Sequence, residues 1–534
     1  MTTSGLGLGN RGDALESLSS RTFDVLVIGG GITGAGIALD AASRGMRVAL
    51  VEKNDFASGT SSKSSKLIHG GLRYLQTGDL SLVYEAAAER DLLRRLAPDQ
   101  IKAVQFFWPG WAGGRSQAGI GLWMYDGLAA YRNVRRHQRI NTRTAADLLP
   151  GTRKTGGGYA YFDAMTDDAR LVISILRTAR SFGAVVCNHL RVDHLLTSGG
   201  QTHGCVASAG GTSIEIKATE VVNATGVWAA ELGLGEKTLR PSKGVHIVVS
   251  KRDLPIRSAC IVKGAHRRSL VFMIPWRSSV IVGTTDDEYS GDLDAPDVDD
   301  ENLQYLLDTL NKAFEREYTA GDITGAYAGL RPLLSDPKKT STRDLSRRHC
   351  LVEGSEGLIT VTGGKLTTYR RMARDVVDLI SSRRGMNTEC RTQSIKLGHP
   401  GVAAEVAERA SKLGLEPEVA ESLSFSYGDQ ALEVISLGQE QDLLVPLIDG
   451  LPYLAAEVPW GTSREMAVEA GDLFSRRMRI SIEDRSAGLN VRRQVEAILS
   501  GSSSDHWVNS FARYEAAIAR ERGPRIGVGI KSSV

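Results

Sequence analysis

Three glycines, Gly29, Gly31 and Gly34, stand in G-x-G-x-x-G spacing after the short apolar run Asp24–Ile28 and at the head of a helix-like stretch, Ala35–Gly45. The chemistry this spacing serves is the holding of a pyrophosphate. Gly29 allows a tight turn, Gly31 lets the backbone approach the phosphates, and Gly34 lets the helix pack on the sheet. The start of that helix offers unsatisfied N–H groups and a positive potential to the same phosphates. Glu52 closes the next apolar run, Arg47–Val51, eighteen positions after Gly34. A carboxylate there accepts hydrogen bonds from a ribose. The fingerprint does not separate FAD from NAD.

A second segment packs hydroxyls, lysines, a histidine and a glycine pair into sixteen residues. It reads Thr60-Ser61-Ser62-Lys63-Ser64-Ser65-Lys66-Leu67-Ile68-His69-Gly70-Gly71-Leu72-Arg73-Tyr74-Leu75. Its hydroxyl and N–H groups suit a phosphate-and-ribityl cradle. Gly70 and Gly71 let backbone lie against a flat ring.

The elements needed to position these residues follow from periodicity. Strand, glycine turn, helix and strand between Asp24 and Glu52 make a βαβ unit. Helices are expected at about 80–96, 168–182 and 302–316, and antiparallel strands across 243–285. The stretch Gly357–Ala373 (GLITVTGGKLTTYRRMA) repeats the order strand, glycine turn, helix. Beyond about residue 395 the pattern turns to amphipathic helices. Met466, Ala470, Leu473 and Phe474 fall on one helical face, as do Trp507, Phe511, Tyr514 and Ile518. Ser463 and Ser486 are placed as N-caps.

Composition narrows the class. With 534 residues there is chain for about three or four domains. At 42% apolar and 24% charged the chain is globular, which excludes wholesale disorder. A net charge of +3 gives no reason to expect nucleic acid. Cys187, Cys205, Cys260, Cys350 and Cys390 form no CxxC pair, so neither a disulfide framework nor a metal site is expected. No apolar run is long enough to span a membrane. Residues 1–22 read as a flexible tail.

The segment 60–75 resembles the corresponding segment of FAD-dependent glycerol-3-phosphate dehydrogenases, within the glycine/D-amino-acid oxidase-like flavoprotein superfamily. The resemblance continues in order through Met165–Leu171, Asn223-Ala224-Thr225-Gly226-Val227-Trp228 and Lys243–Val249. Further blocks are Ile274-Pro275-Trp276, Val282–Asp286, Gly329-Leu330-Arg331-Pro332-Leu333, Thr342-Arg343-Asp344 and Gly363–Tyr369. It covers about 23–380. The C-terminal helices resemble the family only loosely, and Arg476-Arg477-Met478-Arg479 replaces its more usual Arg-Arg-Thr.

The resemblance implies an α/β fold: a Rossmann-like FAD-binding domain, an antiparallel-sheet substrate domain and a C-terminal helical domain. The expected division is 23–95, 156–240 and 345–394 for FAD, 96–155 and 241–344 for the substrate or cap domain, and 395–525 for the helices. Expected cofactor contacts are Gly29, Gly31, Gly34, Glu52, Thr60, Ser61, Ser62, Ser64, Lys66, Leu67, His69, Gly70, Gly226, Gly364, Lys365, Leu366 and Thr367. The helix after Gly364 would turn its N-terminus to the pyrimidine side of the flavin. The implied reaction is oxidation of sn-glycerol 3-phosphate to dihydroxyacetone phosphate, with electrons passed to a membrane quinone. Alternatives are an oxidase using dioxygen on the same substrate and an amine-oxidising relative.

That reaction needs a base for the hydroxyl proton and cations for the phosphate dianion. His246, in an alternating strand, and His69, beside the proposed flavin face, compete for the base; Arg331 could instead orient or polarise the hydroxyl. Arg73, Tyr74, Arg331, Arg343 and Lys365 are the expected substrate contacts. Phe106, Phe107, Trp108, Trp111, Trp123, Met124 and Tyr125 precede Arg132, Arg135, Arg136 and Arg139. Such a segment suits a monotopic contact with anionic lipid and equally an ordinary domain interface. The expected location is cytoplasmic, including the cytoplasmic face of the inner membrane. A homodimer is a further expectation.

Overall fold

A computed structural model describes residues 7–71, 79–112, 115–128, 132–154, 156–235, 237–266, 269–335, 348–354, 356–399, 401–499 and 504–529. The βαβ unit is present. Strand Thr22–Ile28 lies parallel to Val48–Val51 on one side and to Thr212–Asn223 on the other. Parallel pairing continues to Val185–Cys187 and Ile359–Gly363, and His349–Glu353 closes the edge antiparallel. From Phe23 to Ile28 the first strand is buried throughout, as a strand covered on both faces must be. Helix Ile32–Ser43 packs between Asp168–Ser181 and Tyr369–Arg383. Small residues permit this: a Cβ on Gly36 would lie 2.7 Å from the Tyr369 ring.

The second sheet has ten strands among the described residues and is mostly antiparallel. Ser242–Ser250 pairs with both Ser279–Gly283 and Ile323–Arg331, which puts His246 opposite Gly283 and Tyr327. Strand Gly158–Thr166 lies within the stretch expected to belong with the nucleotide-binding unit. Instead it pairs along its whole length with Ile101–Pro109 of the second sheet.

The N-terminal residues differ from the expected tail. Arg11–Ser20 is a helix, and Leu8, Ala14 and Leu18 are buried against the first sheet. Arg11 donates to the carbonyls of Asn188 and His189, which anchors it. Apolar residues spaced through a polar segment gave it a packing face.

The C-terminal helices hold two apolar clusters of their own. Helix Ser504–Arg522 buries Trp507, Phe511, Tyr514 and Ile518 as the spacing predicts. Met466, Ala470, Leu473 and Phe474 are buried too, but not on one α-helix: a single turn at Ala470–Asp472 runs into a π-turn at Leu473–Arg477. Ser463 and Ser486 do not cap helices. Ser463 donates within its helix to the Pro459 carbonyl, and Ser486 donates to Asp484. Serine bonds as readily to nearby backbone or carboxylate as to a helix start.

Buried ion pairs dock these helices on the rest. Arg170 grips Glu465 with two bonds of 2.6 and 2.7 Å. Arg477 grips Asp55 at 2.8 and 2.9 Å, joined by Arg476. Arg479 binds Asp167 at 3.0 Å and also Asp168. Arg479 and Arg277 hold the Asp167 carboxyl below the carboxylate range against the burial that opposes them. Removing one partner of such a pair strands a buried charge, at a cost of about 3–5 kcal/mol. Asp55, His189 and Asp472 come together, but the arginines already occupy the two carboxylates.

Candidate active site

The first sheet ends in two glycine turns that face one cleft of about 1010 Å³. At the first turn Gly29 has φ +113°, and a Cβ there would lie 2.6 Å from the Ala224 carbonyl oxygen. A Cβ on Gly34 would lie 1.9 Å from the Gly29 oxygen, so Gly34 is set by helix-on-sheet packing and stands behind the cleft wall. Gly31 is different. Its φ of −80° suits any residue, and its missing side chain leaves room at the cleft, beside Ser61 Oγ. The helix begins at Ile32 without a side-chain cap, and the Ile32 N–H donates to Ser61 Oγ at 2.9 Å.

Glu52 lines the same cleft. Its carboxylate accepts the Gly30 N–H at 2.7 Å and the Asn54 N–H at 2.9 Å, while burial pushes its pKa up. Gly226, φ +63°, has open space where a Cβ would be. Gly363 and Gly364, φ +77° and +76°, form the second turn, which leads through Lys365 and Leu366 into helix Tyr369–Arg383. Gly226, Gly364, Lys365 and Leu366 all line the cleft.

The hydroxyl-rich segment divides between the cleft and its support. Thr60, Ser61, Ser64, Leu67 and His69 line the cleft. Thr60 donates to the Leu330 carbonyl at 2.6 Å, and Ser64 to Asp168 at 2.6 Å. The side chains expected at the cofactor from Ser62, Lys66 and Thr367 turn inward. Lys66 is fully buried and donates to both oxygens of Asp168, at 2.9 and 3.0 Å, and to the Ser62 carbonyl. Burial and Arg479 pull its ammonium down to about 8. Its long stem reaches a buried carboxylate rather than the cleft. Thr367 Oγ1 accepts the His69 N–H at 3.2 Å. The Gly70 N–H donates to Asp163, and a Cβ there would meet the Tyr125 hydroxyl at 2.2 Å. Arg73, Tyr74 and Arg343 lie outside the described residues.

The second sheet contributes His246 and Arg331. The imidazole stacks on Tyr327, ring centroids 4.8 Å apart and 15° from parallel. Its Nε2 lies 2.8 Å from Ser65 Oγ, and its Nδ1 is buried with no hydrogen-bond partner among the described residues. Burial, then the charges of Arg331 and Lys66, hold its pKa well below the ordinary 6.5, so the ring is neutral at pH 7. Arg331 ends its strand at the cleft. It donates to Ser242 at 3.1 Å, Thr284 at 3.0 Å and the Thr285 carbonyl at 3.2 Å, and meets Asp286 at 3.4 Å. Sequence reading did not single out Ser65 or Tyr327. Their role depends on strand pairing that puts residue 327 opposite residue 246.

These walls fit FAD. Two glycine turns bare of Cβ lie on one cleft, one beside a ribose-competent carboxylate and the other at the start of a long helix.

Known proteins agree. Residues 24–370 match the family described as FAD dependent oxidoreductase, and residues 390–504 match the C-terminal domain of alpha-glycerophosphate oxidase. Glycerol-3-phosphate dehydrogenase 2 of Mycobacterium bovis is 38% identical, over 97% of this chain and 92% of its own. The aerobic glycerol-3-phosphate dehydrogenase of Staphylococcus haemolyticus is 35% identical, over 88% of each chain. The solved glycerol-3-phosphate dehydrogenase of Bacillus halodurans, complexed with FAD, superposes with a TM-score of 0.78 at 29% identity, covering 98% of this chain and 100% of its own. With both sheets, the cleft and the C-terminal helices accounted for, the chain belongs to the FAD-dependent glycerol-3-phosphate dehydrogenases, within the FAD dependent oxidoreductase family.

Proposed function

We propose that the protein oxidises sn-glycerol 3-phosphate to dihydroxyacetone phosphate and passes the electrons to a membrane quinone. The observation that carries this is the neutral, buried His246 sharing one cleft with the cations Arg331 and Lys365. Arg331 and Lys365 attract the phosphate dianion, because guanidinium and ammonium donors bind its oxygens with charge-assisted bonds. His246 takes the hydroxyl proton, which a deprotonated imidazole does and an imidazolium does not. Bound FAD supplies the hydride acceptor. Gly31, Glu52, Ser61 and Gly226 would hold its nucleotide half, and His69 and the Gly364–Leu366 turn its ring half. His69 lines the same cleft and is assigned to the cofactor, with the proton assigned to His246.

A quinone acceptor is supported by one arm of the cleft, lined by Phe106, Trp108, Tyr161, Ile261, Leu270 and Phe272. Phe106 and Tyr161 stack there at 5.2 Å. Such walls suit an uncharged aromatic ring. The test is to add glycerol 3-phosphate without oxygen and follow the flavin colour. A short-chain quinone should then restore the yellow faster than dioxygen does; the reverse order favours an oxidase.

Contact with a lipid surface is supported by Trp123, 74% exposed, with Met124, Leu80 and Tyr84 also exposed on neighbouring helices. Arg132 lies 5.0 Å over the Tyr84 ring, and Arg135, Arg136 and Arg139 are at the surface nearby. Phe106, Phe107 and Tyr125 are buried and take no part. No helix of the described residues is long and apolar enough to cross a membrane. Trp123→Ala should weaken binding to anionic vesicles about 10- to 100-fold, since burying a large apolar side chain contributes about 1.5–3 kcal/mol. Co-sedimentation unchanged by the substitution would assign the patch to a protein partner, and a homodimer would then be sought there.

A further inference from the structure

His246 lines the cleft, but its two ring nitrogens are already accounted for. Nδ1 is sealed, and Nε2 is covered by the Ser65 hydroxyl at 2.8 Å. The residue as a whole is 2% exposed. Tyr327 closes one ring face, and a Cβ on Gly283 would lie 2.4 Å from His246 Cδ2, so strand Ser279–Gly283 crowds another side. Ser65 lines the cleft as well and is more exposed than His246. Its neighbours hold it in place: Ser64 is bonded to Asp168, and the Ser64 carbonyl accepts the Tyr327 hydroxyl at 2.9 Å. A substrate hydroxyl in the cleft therefore meets Ser65 Oγ before it meets Nε2, which that oxygen already contacts.

We propose that Ser65 is a catalytic residue that relays the substrate proton to His246. The relay rests on the oxidation proposed above. The C2 hydroxyl proton passes to Ser65 Oγ as the Ser65 proton passes to His246 Nε2. Ser65 ends as it began, and His246 gains one proton. Bound flavin would accept the C2 hydrogen with its electron pair, leaving C2–O as a carbonyl. Nδ1 carries the proton of the neutral ring throughout. The charged groups acting on the ring are Arg331 and Lys66, both cationic, so the resting ring stays ready to accept.

The test reads flavin bleaching by glycerol 3-phosphate under anaerobic stopped flow, using the full-length holoenzyme. Ser65→Ala should keep its flavin and its substrate dissociation constant, while the bleaching rate falls on the order of 100-fold, the lower end of general-base contributions. The lost rate should return as pH rises, because solvent base then takes the proton directly. Ser65→Thr, which keeps the hydroxyl, should restore most of the rate. In wild-type protein the rate should curve with the fraction of D₂O, as two protons in flight require. Bleaching by Ser65→Ala as fast as wild type, or a straight D₂O dependence in wild type, overturns the relay. A wild type that never bleaches refutes the substrate reading instead.

Discussion

Arg331→Ala is expected to stay yellow yet need about 10- to 100-fold more glycerol 3-phosphate, since hydrogen bonds to a charged group are worth about 1.5–3 kcal/mol. The guanidinium sits on the cleft, held by Ser242, Thr284 and the Thr285 carbonyl, while Gly31 and Glu52 follow strands of the other sheet. Flavin loading should therefore be unaffected. A second effect has a defined sign. Arg331 is one of two charges that hold the His246 pKa down, after burial. Without it the pKa rises towards 6.5, and the acid limb of the rate profile moves to higher pH. Activity is lost as pH falls through that value, so the variant loses rate at a pH where wild type is still active. Steady-state kinetics between pH 5 and 8 check both. An unchanged KM with an unmoved acid limb would take Arg331 out of the site.

Gly31→Val is expected to emerge colourless. With φ at −80° the backbone accepts valine, and the nearest obstacle to a Cβ is the Ser61 hydroxyl at 3.1 Å. The protein should fold. The two methyl groups would occupy the place of the pyrophosphate at the helix start. Overpacking costs about 1–3 kcal/mol and each lost charge-assisted bond about 1.5–3 kcal/mol, together on the order of 100-fold or more in FAD affinity. Gly34 would be a poorer probe, because a Cβ 1.9 Å from the Gly29 carbonyl disturbs the fold itself. Flavin absorbance per chain, beside a circular dichroism spectrum, checks the result. A fully loaded Gly31→Val protein would move the pyrophosphate elsewhere.

Local chemistry was legible in the sequence where local geometry controls it. The strand–turn–helix from Thr22 to Ser43 and the second glycine turn at Gly363–Gly364 follow from residue order alone. So does helix Leu80–Leu96. What was not legible depends on residues far apart in the chain. Lys66 sits in a run of cradle-like hydroxyls, yet its partner is Asp168, a hundred residues on. Strand Gly158–Thr166 joined the second sheet because Ile101–Pro109 offered it a full register. The arginines at 476, 477 and 479 carry no local pattern that shows their carboxylates at 55, 167 and 168. The N-terminal helix was hidden by its polar composition, since only Leu8, Ala14 and Leu18 needed to pack.

The most direct measurement is an anaerobic titration of the yellow protein with glycerol 3-phosphate, followed by flavin absorbance. Bleaching that completes with glycerol 3-phosphate, and fails with unphosphorylated glycerol at the same concentration, is the predicted result. A flavin that stays oxidised in excess glycerol 3-phosphate, or bleaches equally with glycerol, would contradict a cleft built from a neutral His246 and a phosphate-binding Arg331.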